Sequence, residues 1–235
     1  MIKTILFDLD GTLLPMEQEK FVKAYFGGLA QKVAPCGFEP KALVANVLDG
    51  TEAMVKNDGK KTNEEVFWDY FASIYGENVR AYIPVFDAYY REEFQSVKNA
   101  CGFNPEAAKA VRKIKEKGYR VALATNPLFP SVATESRIRW AGLNVEDFEL
   151  YTTYENARYC KPNPAYYQEV LDKLGVDPKE CLMVGNDVIE DVAAEKLGMQ
   201  IFLVTDCLIN KKGADISAYP QGTFADLLRY LAIDK

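Results

Sequence analysis

The chain has 235 residues, 49% of them hydrophobic, with a net charge of −6 and no histidine. That is enough apolar material for one large domain or a core plus a smaller insert, and the acidic balance argues against nucleic acid as a partner. The missing histidine removes Ser-His-Asp and Cys-His catalysis, histidine phosphotransfer and His-ligated metals together, leaving carboxylates, Lys, Thr, Ser or Cys to carry chemistry.

The cysteines, Cys36, Cys101, Cys160, Cys181 and Cys207, are scattered and form no C-x-x-C pair, so a reduced, cytoplasmic protein is expected. Residues 1–7 hold too short an apolar stretch for a secretory signal, and no uncharged apolar run is long enough to span a bilayer, so no membrane partner is expected. The basic runs at 56–61 and 211–212 read as solvated surface.

In chain order, 3–9 reads as a buried strand that stops on Asp8 and Asp10, two residues apart and so expected on one side, before a Gly11-Thr12 turn. Helical apolar spacing follows over 17–33, 40–48, 63–75 and 82–97, with Thr62 or Asn63 as an N-cap. No alternating or β-branched run interrupts 16–98, which predicts a helical subdomain whose aromatics form its core. From Asn104 strands and helices alternate. Helices are expected over 107–117, 131–141, 165–174, 190–197 and 224–231, and strands over 119–125, 148–153, 181–185 and 201–205.

This alternation predicts an α/β fold, a Rossmann-like parallel sheet flanked by helices, with core segments 1–15 and 99–235 and the helical insert at 16–98. Strand ends of such a sheet converge on one crevice, here bringing Asp8 and Asp10 to Thr125 and Asn126 and to Asn186 and Asp187. Asp191 and Lys161 are expected alongside. Carboxylates crowded together repel unless a hard cation sits among them, and an oxygen-only donor set suits Mg²⁺ and phosphate chemistry.

The ordered motifs Asp8-Leu9-Asp10-Gly11-Thr12, Thr125, Lys161-Pro162 and Gly185-Asn186-Asp187 with Asp191 resemble those of the haloacid dehalogenase-like hydrolase superfamily. The resemblance covers about 1–14 and 100–207 and implies a helical C1-type cap inserted after the first motif. It implies that Asp8 is a nucleophile forming an aspartyl-phosphate and Asp10 the general acid and base. It further implies that Thr125 and Lys161 hold phosphoryl oxygens, with Asn126 a lesser candidate. Asp187 would bind Mg²⁺ with Asp8 and the Asp10 backbone carbonyl, and Asp191 would order Lys161 or a metal-bound water.

The expected function is a Mg²⁺-dependent phosphatase acting on a small phosphorylated metabolite, with the insert closing over it. A haloacid dehalogenase is disfavoured, because that branch lacks the acid present here as Asp10. A phosphomutase resembling β-phosphoglucomutase shares the core residues, and a non-catalytic module binding a phospholigand or a protein is the reading from another class. A P-loop is poorly supported, since Met54 stands where the glycine preceding Gly59-Lys60 would be. Lys56, Asn57 and Lys60 are weak specificity candidates. Substrate identity and oligomeric state are not legible.

Overall fold

Every residue of Thr4–Phe7 (β1) is buried, as an apolar strand in the middle of a parallel sheet must be. A computed structural model describes residues 1–234. After β1 come the helices Gln18–Val33 (α1), Pro40–Val55 (α2), Asn63–Tyr75 (α3) and Ile83–Arg91 (α4), and no strand forms among them. The remainder runs Pro105–Glu116 (α5), Arg120–Leu123 (β2), Ser131–Trp140 (α6), Pro164–Leu174 (α7), Cys181–Gly185 (β3), Gln200–Val204 (β4), Gln221–Gly222 (β5) and Phe224–Tyr230 (α8).

The sheet order is β2-β1-β3-β4-β5, and every pairing is parallel. Strand alternation splits the core into two layers: Ile5, Phe7, Leu182 and Val184 pack with α5 and α8 on one face, while Leu6, Met183 and Leu203 pack with α7 on the other. The chain leaves β1 for β2 on one side and returns to β3 on the other. The C-terminal end of β1 is therefore the point where strand order reverses and a crevice opens.

The helical segment joins the sheet domain through two paired connections. Met16 and Cys101 form an antiparallel bridge, and the Gly102 N–H donates to the Pro15 carbonyl at 2.8 Å. A second attachment sits at the start of α3. Thr62 caps that helix in a capping box with Glu65, while Asn63 is wholly buried. The Asn63 and Glu64 N–H groups donate to Ala157 and Tyr154 carbonyls at 2.9 Å, and the Asn63 amide reaches the Pro127 carbonyl at 3.3 Å.

Four sequence expectations need correction. Helix α2 continues past 48 to Val55, because Gly50 lets the Phe67 ring approach to where a Cβ would be 2.9 Å away. The expected helix over 82–97 breaks at Glu92, and a 3₁₀ segment, Glu93–Ala100, then turns Phe94 and Val97 into the core. Over 190–197 only Val192–Leu197 is helical, and as a 3₁₀ turn. The segment 148–153 lies beside β2 and shares backbone hydrogen bonds with Val121 and Leu123, but the Leu123–Tyr151 bridge is its only ladder contact before Thr153 begins a turn. The short β5 had no sequence signal.

Candidate active site

Strand geometry ends at Phe7, so alternation does not set the directions of the two acids. The Asp8 N–H still bonds the Val184 carbonyl at 2.9 Å, which seats Asp8 at the sheet edge. Gly11, with φ +87°, then folds the chain back so that its N–H reaches the Leu14 carbonyl at 2.8 Å. Asp8 and Asp10 line one cavity, yet a different cation holds each.

Asp8 Oδ1 accepts from Lys161 Nζ at 2.9 Å and Asp8 Oδ2 from the Thr12 hydroxyl at 3.1 Å. Lys161, whose side chain is fully buried, also donates to Asp191 Oδ1 at 2.7 Å. The other oxygen of Asp191 accepts the Asp187 N–H at 2.9 Å. Burial opposes the Lys161 charge, but Asp191 and Asp8 outweigh it and keep the ammonium protonated well above the usual lysine range. Burial pushes Asp8 up, against Lys161 and Thr12, and pushes Asp191 up to about 6.

Asp10 is ion-paired through Oδ2 with the guanidinium of Arg137, which is fully buried on α6. Arg137 also donates from Nε to the Ala133 carbonyl at 3.3 Å and from Nη2 to the Thr134 hydroxyl at 3.2 Å, and lies 4.4 Å from the Phe129 ring centroid. Asp10 Oδ1 is buried with no hydrogen-bond partner among the described residues. Burial raises its carboxyl, with Arg137 and Lys161 opposing.

The other expected residues gather at the same edge in different capacities. Thr125 is buried on the cavity wall, its carbonyl occupied by the Thr152 and Tyr166 hydroxyls, while no protein group among the described residues bonds its own hydroxyl. Asn126 joins two loops: its Oδ1 accepts from the Lys161 N–H at 3.2 Å and its Nδ2 donates to Glu190 at 3.1 Å. Asn186 accepts from Thr12 at 2.9 Å. One Asp187 oxygen accepts the N–H groups of Ile189 and Glu190, so Asp187 closes the turn where a helix had been expected.

Sequence reasoning missed Arg137 and Glu190. Arg137 falls between Ala133 and Ala141 on a buried stripe of α6, and a charge on such an apolar stripe was the available signal. Glu190 lines the cavity, and its burial pushes the carboxyl up to about 7. The helical-segment aromatics are not only core, since Tyr25, Trp68, Phe86 and Tyr90 also face the cavity. Lys56, Asn57 and Lys60 do not line it. Asn57 instead braces Asn63 at 2.9 Å, and the two lysines pair with Glu52 and Asp58.

Among the described residues no three His, Cys, Asp or Glu side chains form a metal cage. The oxygens that fit a hard cation are of mixed type: the Asp8 carboxylate, the Asp10 backbone carbonyl, which accepts no backbone hydrogen bond among the described residues, and the Asp187 oxygen left over from the turn. Asp8, Asp10, Asp187, Glu190 and Asp191 all line the cavity. Lys161 and Arg137 are already committed to Asp8, Asp191 and Asp10, so the cavity lacks the positive charge a phosphate would need. This donor chemistry fits Mg²⁺, which keeps several waters and takes few protein oxygens.

Close packing at the end of β3 makes Gly185 testable. A Cβ there would lie 2.1 Å from Asp191 Oδ2, with the buried Asp191 side chain held by Lys161. Gly185→Ala is expected to displace Asp191 and to destabilise the fold by about 1–3 kcal/mol. A thermal melt checks this, and an unchanged midpoint would show that the contact yields freely.

The matched region and the described geometry agree on a class. Residues 2–198 match the family described as haloacid dehalogenase-like hydrolase, and the chain belongs to that family. It is 24% identical over 221 residues to pyrophosphatase PpaX of Bacillus cereus, covering 93% of this chain and 89% of that protein. A HAD phosphatase from Thermococcus onnurineus shares the fold, with a TM-score of 0.62 and 20% identity over 99% of both chains. So does L-2-haloacid dehalogenase from Xanthobacter autotrophicus, with a TM-score of 0.60 and 16% identity over 99% of both chains.

Proposed function

We propose that this hydrolase is a Mg²⁺-dependent phosphatase of small phosphomonoesters, with residues 16–98 acting as a cap over the carboxylate edge. The observation that carries this reading is the separate tethering of the two acids. Lys161 aims Asp8 into the cavity while Arg137 holds Asp10 with one oxygen unpartnered. A nucleophile and a proton donor need that independence.

An Asp8 oxygen attacks phosphorus and the bond from phosphorus to the leaving oxygen breaks, giving an aspartyl-phosphate. Asp10 gives its proton to the departing alkoxide. A water then attacks the same phosphorus, Asp10 takes its proton, and the bond from Asp8 to phosphorus breaks to release inorganic phosphate. The Thr125 hydroxyl faces the phosphoryl oxygens, the Lys161 ammonium reaches them only from beneath Asp8, by sharing the contact it makes with that carboxylate, and Asn126 positions Lys161 through its backbone N–H. Asp191 holds Lys161 from behind. When bound, Mg²⁺ on Asp8, the Asp10 carbonyl and Asp187 would supply the charge that offsets the phosphate.

Asp10 also separates this chemistry from dehalogenation, in which a departing halide takes no proton. Phosphate release should therefore require added Mg²⁺ and disappear with chelator, measured on a panel of phosphorylated small molecules. Undiminished release in chelator would overturn the metal assignment. Transfer of phosphate between positions of a sugar, with none released, would place the chain with the phosphomutases.

A further inference from the structure

The wall of the cavity opposite the carboxylates is built almost entirely of rings and branched chains. Phe21, Tyr25 and Phe26 come from α1, Trp68 from α3, Phe86 from α4 and Phe129 from the loop after β2. Among the described residues no lysine or arginine lines the cavity. Several polar tips on this wall are already used. The Tyr25 and Tyr90 hydroxyls bond each other at 2.8 Å, and the Thr51 hydroxyl donates to the Val47 carbonyl at 2.8 Å. Among the described residues the buried Trp68 indole N–H has no partner in hydrogen-bonding geometry, although the Tyr154 hydroxyl lies beside it, and the exposed Gln18 amide, which also lines the cavity, makes no hydrogen bond.

The cavity volume is about 260 Å³. At about 30 Å³ per water-sized group this holds a phosphoryl group and one small ring or short branched chain. A second anion placed against this wall would be buried without a counter-charge, in a cavity whose charged lining is of its own sign. An apolar group would instead displace water from an apolar, aromatic surface.

We infer that the leaving group of the substrate is a neutral, largely apolar alcohol, ring-sized or branched, with at most a neutral acceptor for Trp68 or Gln18, and that a second anionic group is excluded. This rests on the phosphatase reading above and narrows it. Diphosphates and carboxylated phosphoesters are poor substrates by the same argument, even though relatives of similar length are named pyrophosphatases.

A matched pair of inert ligands tests this without turnover. Benzylphosphonate and phosphonoacetate carry the same phosphonate and methylene and differ in a phenyl ring against a carboxylate. Titration calorimetry on the wild-type chain with Mg²⁺ should find benzylphosphonate at least about tenfold tighter. In turnover, kcat/KM for benzyl phosphate should exceed that for 2-phosphoglycolate and for pyrophosphate by at least the same factor. Leu48 lines the cavity and is 51% exposed, so Leu48→Lys adds a cation without disturbing the core. That variant should narrow the gap by about fivefold.

Equal or tighter binding of phosphonoacetate, or no binding of either phosphonate, overturns the inference. Selective binding of benzylphosphonate with no hydrolysis of any phosphomonoester would uphold the apolar preference and overturn the phosphatase reading instead.

Discussion

Asp8→Asn is expected to lower phosphate release by roughly 10⁴-fold or more while leaving the fold intact, because it removes the attacking carboxylate oxygen and weakens the Mg²⁺ site that shares it. Asparagine is nearly isosteric. Its carbonyl can still accept from Lys161 and its amide can turn toward Thr12, and Lys161 keeps its bond to Asp191. Circular dichroism and a thermal melt should match the wild type closely, and a phosphate-release assay should show the loss. Full activity in this variant would remove Asp8 from the reaction.

Arg137→Met should act on both stability and rate. Breaking a buried ion pair leaves the Asp10 carboxylate without its counter-charge and costs about 3–5 kcal/mol, or roughly 10 °C in Tm for a chain of this size. Phosphate release should fall by roughly 10²-fold or more, since Asp10 loses the contact that fixes its proton-transfer geometry. The double variant Arg137→Met with Asp10→Asn separates the two causes. If unpaired charge is responsible, the double variant melts above Arg137→Met alone; simple addition of the two losses would place the cost in the packing of Arg137 on Phe129.

The contrast between Asp8 and Arg137 shows why parts of this site could be read from sequence and parts could not. Apolar runs ending in Asp8, Thr125 and Gly185-Asn186-Asp187 concentrate polar groups at strand ends, and a parallel sheet brings such ends together whatever the details of its loops. Lys161 precedes α7 and falls with those ends by order and spacing; its contact with Asp8, alongside the one with Asp191, follows only from the tertiary arrangement. Arg137 sits inside a helix, where one charge among Ala133, Ile138 and Trp140 changes the pattern little. Its partner is 127 positions away and follows only from the tertiary arrangement.

The aromatics illustrate the same limit. Helical spacing marks Phe21, Tyr25 and Phe67 as the inward face, but spacing cannot distinguish a face packed on a neighbour from one bordering a cavity. At 148–153, β-branched and aromatic residues favour an extended chain. The segment is extended beside β2, yet the turn from Thr153 to Ala157 ends its pairing after one bridge. Asp191 was expected at the start of a regular helix, but the chain from Asp187 to Asp191 forms a turn closed by the Asp187 side chain, and only the 3₁₀ segment Val192–Leu197 follows it.

The most direct test of the account is to look for the phosphoryl group on Asp8. A phosphomonoester turned over by the wild-type chain with Mg²⁺, quenched in acid within the first turnover and digested, should yield the peptide carrying Asp8 with one added phosphoryl group. The same peptide from Asp8→Asn should carry none. A phosphoryl group on any other residue, or rapid phosphate release with an unmodified Asp8 peptide throughout the first turnover, would contradict it.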